Sequence, residues 1–388
     1  MRIAIDARFI NPENRGLSCY TKNLIESLAK IDQKNEYYIL LLEKDFKKTI
    51  FKNKNFHKIK AEIPWYSLKE QWAIPRILKK IKPDLTHFPH FNVPIFWKEP
   101  FVTTIHDLIL FAFPTKKATT RSRIGYFIKE KGYFFVINHA IFGSKKIISV
   151  SKNTAKDIRH YFPKISSKKI EVVYEGLGET DTSTIKKFSA FPKKERGEWL
   201  QKKLGIPQNT PFILYLGGAY PHKNLERLSL AFKKISPALK EKVLLVIAGG
   251  EDFFFEKLKK FIRKNKIKNI LLPGFIGEKK TLEFLYLESL FCIFPSLYEG
   301  FGLPPLEALK RKKLVLCSRS TSFPEILQDK AVYFNGNSLE DIGEKVKTTI
   351  EKKMELEKKM ENNLEQFLCL YDWEKMARET LEVYKKSV

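Results

Sequence analysis

The stretch FPSLYEGFGLPPLEALK, Phe294 to Lys310, decides how this chain is read. Just before it, LFCIFPS is apolar enough to be a strand buried on both faces. The turn Gly300-Phe301-Gly302 follows, and a helix opens at Leu303-Pro304-Pro305. Prolines suit a first helical turn because the backbone donors missing there would be unpaired anyway. A strand, a glycine turn and a helix N-terminus present free N–H groups and a positive dipole end to an anion. Glu299 sits on the turn and Glu307 lies about a turn inside the helix, so two carboxylates flank the place where a phosphate would rest. A nucleotide-sugar has that shape.

Outward from this segment, strand-like runs alternate with helix-like stretches, which predicts parallel sheets covered by helices. In the first half the strand candidates are RIAIDA, YYILLLE, LTHFP, FVTTIHD, KIISVS and IEVVYE. Helical patterns lie between them at Ser18–Lys30, Leu68–Ile81, Arg121–Phe142 and Thr154–Tyr161. The second half gives FILYLGG, VLLVIAGG, NILLPGF, LFCIFPS, LVLCS and AVYFN. Between the halves, 179–209 is polar, charged and aperiodic, and is expected to be a linker. The expected division is therefore 1–178, a linker at 179–209, and 210–370. Two doubly wound halves would face one another across a cleft at the carboxyl ends of their strands.

At 388 residues the chain is long for one core and suggests two domains. No apolar run approaches the roughly 20 residues that cross a bilayer. MRIAIDARF alternates like a strand and lacks the apolar core of a signal peptide, so a cytoplasmic location is expected. Cys19, Cys292, Cys317 and Cys369 are scattered and read as reduced thiols. The formal charge of +27 is unusual, yet no zinc-finger spacing or RNA-binding aromatic motif accompanies it, which argues against nucleic acid. Most lysines read as solvated helix faces.

Other phosphate motifs fail. Gly176-Leu177-Gly178 and Gly300-Phe301-Gly302 each lack the third glycine of a dinucleotide fingerprint, because Asp181 and Pro305 stand there. No Asp-x-Asp pair exists to grip a metal on a diphosphate, so the phosphates fall to basic side chains and backbone N–H groups, with no metal or other cofactor required. In LYLGGAYPHKNLERL, Lys223 follows a buried strand and a Gly217-Gly218 turn, where a helix start can bring it to a phosphate. His106 and Asp107 end the apolar strand TIHD. His87 and His90 in HFPHFNVP have metal-like spacing but no third ligand nearby, and are taken as a cleft-lining loop, not a metal site.

These motifs together resemble the retaining, nucleotide-sugar-dependent glycosyltransferases of family 4, which have the GT-B fold. Glu299 and Glu307 match the family's Glu-x7-Glu motif, and Lys223 matches the lysine that contacts the donor diphosphate. Gly218 and His222 stand where the family often has an arginine. His106 matches the active-site histidine beside the transferred sugar, and Gly16 a loop glycine brought against the donor phosphates. The resemblance continues through VSKNTAKDI, VVYEGL, LLPGFI, TSFPEI and YDWEKMARETLEVY. It implies that the last helix, within 371–388, crosses back to the first domain. HFPH and SLKEQWAIP occur in the mannosyltransferase-like branch, which suggests mannose from GDP-mannose.

On this resemblance Glu307 accepts the ribose hydroxyls, and Lys223 with the N–H groups of Gly302 and Leu303, beside Phe301, meets the departing diphosphate. Glu299 orients the sugar, and His106 lines the opposite wall. Two departures are visible: Glu175 stands where the family often has asparagine before Gly176, and Lys312 stands where a helix-ending glycine is usual. A lysine there would carry about 1–2 kcal/mol of left-handed strain, unless the helix ends differently.

The stretch Lys116–Lys146 mixes basic residues with Tyr126, Phe127, Tyr133, Phe134, Phe135 and Phe142. That composition fits an interfacial helix on an anionic leaflet as well as it fits a core helix. With the membrane reading, the acceptor is a lipid-linked glycan and the enzyme is peripheral at the inner membrane face. Besides a transferase making a cell-surface glycan, an epimerase or phosphorylase of the same fold and a non-catalytic basic binding protein stay open.

Overall fold

Among the described residues, thirteen strands build two parallel sheets, one in each of two units. The computed structural model describes residues 1–10, 15–113, 123–178 and 182–388; for 15, 123–130 and 182 it describes the backbone alone.

The first unit comprises Met1–Gly178 and Tyr371–Val388. Its strands are β1 (Arg2–Asp6), β2 (Glu36–Leu41), β3 (Phe56–Lys60), β4 (Leu85–Phe88), β5 (Phe101–Ile105), β6 (Lys146–Ser149) and β7 (Ile170–Val172). They pair in parallel in the order β3-β2-β1-β4-β5-β6-β7. Alternation along β1 shows the double winding: Ile3 and Ile5 enter one core cluster and Ala4 another. The edge strand β3, FHKIK, escapes the sequence reading, because lysine and histidine fill the positions that would mark an apolar run.

Helix Trp373–Lys385 contributes Trp373, Met376, Ala377, Val383 and Tyr384 to the first unit's core, as the resemblance implied. Its entry needs Gly176, since a Cβ there would stand 2.5 Å from the Trp373 indole. Deeper in, His87 bonds the Tyr384 hydroxyl at 2.6 Å through Nδ1 and the Thr104 hydroxyl at 2.9 Å through Nε2. Thr104 also bonds the Tyr20 hydroxyl at 3.1 Å. This polar chain crosses a core whose members are all fully buried, so each bond replaces a large desolvation cost.

The second unit, Glu179–Leu370, holds β8 (Phe212–Leu216), β9 (Leu244–Ala248), β10 (Ile270–Gly274), β11 (Cys292–Phe294), β12 (Val315–Ser318) and β13 (Ala331–Phe334). All are parallel, in the order β10-β9-β8-β11-β12-β13. The strand order reverses between β8 and β11, the place where open α/β sheets take ligands.

The segment expected as a linker is different. Helices Thr182–Ser189 and Lys193–Leu204 occupy it and dock on helix Lys279–Glu288. Arg196 bonds Glu288 at 2.6 Å, and the Trp199 indole donates to Thr281 at 3.0 Å. Scattered lysines hide the apolar face of these short helices, which is why periodicity fails there. Lys312 does adopt the left-handed conformation, with φ 56°, so the strain is tolerated. Its N–H reaches the Leu309 carbonyl at 2.8 Å and that of Lys313 reaches Ala308 at 3.0 Å, closing the helix end.

Among the described residues no helix is long and apolar enough to cross a membrane, and no three His, Cys, Asp or Glu side chains cluster to hold a metal. Of the basic-aromatic stretch, 114–122 lie outside the described residues, as do the side chains of Tyr126 and Phe127. Helix Arg123–Gly143 leaves Phe135 and Phe142 exposed, while Tyr133 packs against Phe91 and Phe111.

Candidate active site

In the second unit, the loops after β8 and β11 converge at the switch point. Beyond β8, Gly217 has φ 153°, and the Tyr215 hydroxyl donates to the Gly218 carbonyl at 2.8 Å. The chain then makes a single turn at Pro221–Lys223, passes Asn224 in the left-handed region at φ 60°, and enters helix Leu225–Ile235. The Asn224 amide bridges the Pro295 and Gly336 carbonyls at 3.2 and 2.7 Å, and Leu297 N–H donates to the His222 carbonyl at 2.7 Å. The two loops are thus fastened by their backbones.

Lys223 and Glu299 meet directly. The ammonium donates to Oε1 at 2.7 Å and Oε2 at 2.8 Å, with both side chains about four-fifths buried. Sequence alone gave the two residues separate tasks; their pairing is new. An ammonium has three N–H groups and a carboxylate has about four acceptor positions, so each keeps capacity beyond this pair. Burial, then the Lys223 charge, hold His222 down at about 4. His222 is therefore neutral at ordinary pH and adds no positive charge beside Lys223.

Gly302 caps helix Leu303–Lys310 with φ 112°, and a Cβ there would meet the Phe323 ring at 2.8 Å. Only glycine fits both demands. Phe301 is buried and forms the floor of the turn, while Leu303 is partly buried at the helix start. Thr321 accepts from Glu299 N–H at 2.9 Å, and Ser322 donates to the Glu299 and Phe301 carbonyls at 3.1 and 2.8 Å. These residues of TSFPEI brace the turn, a role that nothing in their sequence announced.

Glu307 lies within that helix. Burial raises its pKa, Arg311 opposes the rise, Glu283 adds to it, and a hydrogen bond from Tyr286 helps hold the charge. Arg311 grips Glu283 twice, at 2.9 and 2.6 Å, donates to the Glu307 carbonyl at 2.8 Å, and stacks over Tyr286. The four-residue spacing from Glu307 to Arg311 is the one sequence clue to this support.

The first unit carries the other candidates. His106 follows β5 with its side chain mostly buried. Its Nδ1 lies 2.9 Å from Glu175 Oε1, and its Nε2 lies 2.9 Å from the Pro89 carbonyl. Burial pulls its pKa down, but the Glu175 hydrogen bond and charge, the Pro89 carbonyl and Asp107 outweigh that, so it is raised. His87 is a core residue, not a cleft-lining one. His90 sits among Phe9, Tyr66 and Phe91. Burial holds both down at about 3, so both are neutral. Gly16 corrects a further expectation: it lies in helix Arg15–Ile31, exposed, with open space where a Cβ would stand. Among the described residues no atom would meet a side chain at that position.

Beside β1, sequence reasoning missed a buried charge network. Arg8, fully buried, bonds Asp6 at 2.8 and 2.6 Å, Glu70 at 2.5 Å and the Ile63 carbonyl at 2.9 Å. Asn92 donates to both Glu70 oxygens at 2.9 Å. The SLKEQW segment therefore serves partly to order the loops beyond β3 and β4.

Two family models divide the chain: "Glycosyltransferase Family 4" matches residues 15–178 and "Glycosyl transferases group 1" matches 198–367. The O-antigen chain mannosyltransferase B of Escherichia coli is 23% identical over 325 residues, which is 82% of this chain and 77% of that protein. The serotype-specific mannosyltransferase WbdA of E. coli is 30% identical over 201 residues, half of this chain but 23% of that protein. Anabaena Alr3699/HepE, solved with UDP and glucose, superposes with a TM-score of 0.70 at 13% identity, covering 99% of both chains. WaaG, a glycosyltransferase of lipopolysaccharide biosynthesis, gives 0.67 at 14%, again covering 99% of both. With each half matched by its own model and the fold shared with those solved structures, the chain belongs to the family 4 glycosyltransferases of GT-B fold.

Proposed function

We propose that this glycosyltransferase moves mannose from GDP-mannose to a glycan carried on lipid, retaining the anomeric configuration and using no metal. The observation that carries the reading is the Lys223–Glu299 pair at the β8/β11 switch point, beside the Gly302 helix start. Lys223 and the N–H groups of Gly302 and Leu303 take the charge that grows on the departing diphosphate. Glu299 keeps Lys223 aimed and offers its remaining lone pairs to the sugar hydroxyls. Glu307, whose charged form Arg311 favours against burial, accepts two hydroxyls of the ribose. Mannose is favoured by the mannosyltransferases among the relatives and by the HFPH and EQW segments.

The test is donor binding by the purified chain in the presence of a chelator. GDP-mannose well above its dissociation constant should stabilise it by about 3 kcal/mol, and UDP and ADP sugars should not. Lys223→Ala and Glu299→Ala should abolish transfer to a lipid-linked acceptor; wild-type rates in both would end the assignment. Contact with the membrane falls to helix Arg123–Gly143, where Phe135 and Phe142 are exposed. Vesicles rich in anionic lipid should pellet the protein in a salt-sensitive way.

A further inference from the structure

We infer that Glu175 fixes His106 as a doubly protonated imidazolium whose two N–H groups are both spent on protein acceptors. Glu175 is then a positioning residue, and His106 holds a fixed charge and does not act as a proton relay.

The argument rests on what each neighbour can do. The Pro89 carbonyl can only accept, so Nε2, 2.9 Å away, carries a proton. Nδ1 faces Glu175 Oε1 at 2.9 Å. An ionised carboxylate also only accepts, so Nδ1 carries a second proton. The competing arrangement is a neutral ring beside a protonated Glu175. A carboxyl group gives up its proton more readily than an imidazolium by roughly 2 pK units, which favours the ion pair.

The surroundings point the same way. Glu175 is 5% exposed, and among the described residues its one ion-pair partner is His106. Asp107, next in the chain, adds negative charge that also favours the protonated ring. His87 and His90, the other titratable rings that act on His106, are neutral and offer little repulsion. Tyr20 stands perpendicular to the imidazole at 4.7 Å between ring centres, and Thr154 donates to the His106 carbonyl at 3.3 Å. Ring plane and backbone are thus both fixed. An asparagine at 175 would supply a dipole where this chain supplies a full charge.

The inference deepens the transferase reading, and its first test does not depend on it. With the full-length chain labelled at the histidine side chains, of which there are 7, nitrogen NMR reads the protonation of each ring directly. His106→Gln assigns the signals. At about pH 7.5, well above an ordinary imidazole pKa of about 6.5, both His106 nitrogens should be protonated. In Glu175→Gln one of them should become unprotonated, while the His87 ring, bonded to Tyr384 and Thr104, confirms in the same spectrum that the unit is folded. An unprotonated nitrogen on wild-type His106, or two protonated ones in a folded Glu175→Gln, overturns the proposal. If Glu175→Gln does not fold, the wild-type spectrum alone decides. The second test is kinetic: Glu175→Gln should lose kcat as pH rises through about 6.5, while wild type stays flat there. A donor that fails to bind at all would refute the transferase reading and leave the NMR result standing.

Discussion

Replacing Arg311 with methionine should destabilise the second unit far more than its place at the end of a short helix suggests. The Arg311 and Glu283 side chains are 6% and 1% exposed, with two charge-assisted hydrogen bonds between them. Methionine retains the stacking volume over Tyr286 but leaves the Glu283 carboxylate buried without its cation. Removing one partner of a buried pair costs about 3–5 kcal/mol. For a unit of this size each kcal/mol lowers the melting temperature by roughly 2–4 °C, so a fall of roughly 6–20 °C is expected. Calorimetry gives the shift, and hydrogen exchange along Lys279–Glu288 assigns it to the second unit. Two comparisons sharpen the result. Lys234→Met, which breaks the exposed Lys234–Glu340 pair, should cost under about 1 kcal/mol. Glu283→Leu combined with Arg311→Met removes both charges and should recover most of the loss. A functional effect accompanies the structural one. Without Arg311 the Glu307 pKa rises further, so donor binding should weaken, and weaken more as pH falls. A transition within about 2 °C of wild type for Arg311→Met, or a double variant no better than the single, would refute this account of the pair.

Other perturbations follow from single observations. Tyr384→Phe orphans His87 Nδ1 in a dry core and should cost the first unit about 1–3 kcal/mol, read by denaturant titration. Lys312→Gly relieves left-handed strain and should stabilise the second unit by about 1 kcal/mol. Gly302→Ala drives a methyl into Phe323 at an unfavourable φ, and should lower both the second unit's melting temperature and donor affinity. His87 and His90 have folded pKa values of about 3, below their unfolded value of about 6.5. The stability they contribute is complete above about pH 6.5 and is lost progressively as pH falls towards about 3. First-unit stability should therefore drop across that window, and a flat profile would contradict neutral buried rings.

What was legible in the sequence, and what was not, separates along physical lines. All six strands of the second sheet could be read because parallel strands covered on both faces are continuous apolar runs, as in FILYLGG and VLLVIAGG. β3 could not, because an edge strand tolerates His57, Lys58 and Lys60 at its rim, Lys58 reaching over to the Phe46 and Thr49 carbonyls. The glycine turn and its helix start were legible from Gly300 to Pro305, since backbone demands leave a local signature. The side-chain supports were not. Thr321, Ser322 and Glu283 reach the site from other elements, and pairing across the fold has no linear pattern. Glu175 was visible only as a departure from a resemblance; the meaning of that departure, a partner for His106, arises from contact between residues 69 positions apart.

Helix Trp373–Lys385 has a consequence for the order in which the chain matures. The first unit's strands leave the ribosome early, but its core lacks Trp373, Met376, Ala377, Val383 and Tyr384 until the last residues follow. His87 waits for its Tyr384 partner across nearly three hundred residues. The whole of Glu179–Leu370 is made in the interval and can complete its own sheet. The second unit should thus reach its native state first, although it is synthesised later, and the nascent first unit should hold an open apolar groove that a chaperone can occupy. Loss of a dozen C-terminal residues would then be felt as a folding defect at the opposite end of the sequence.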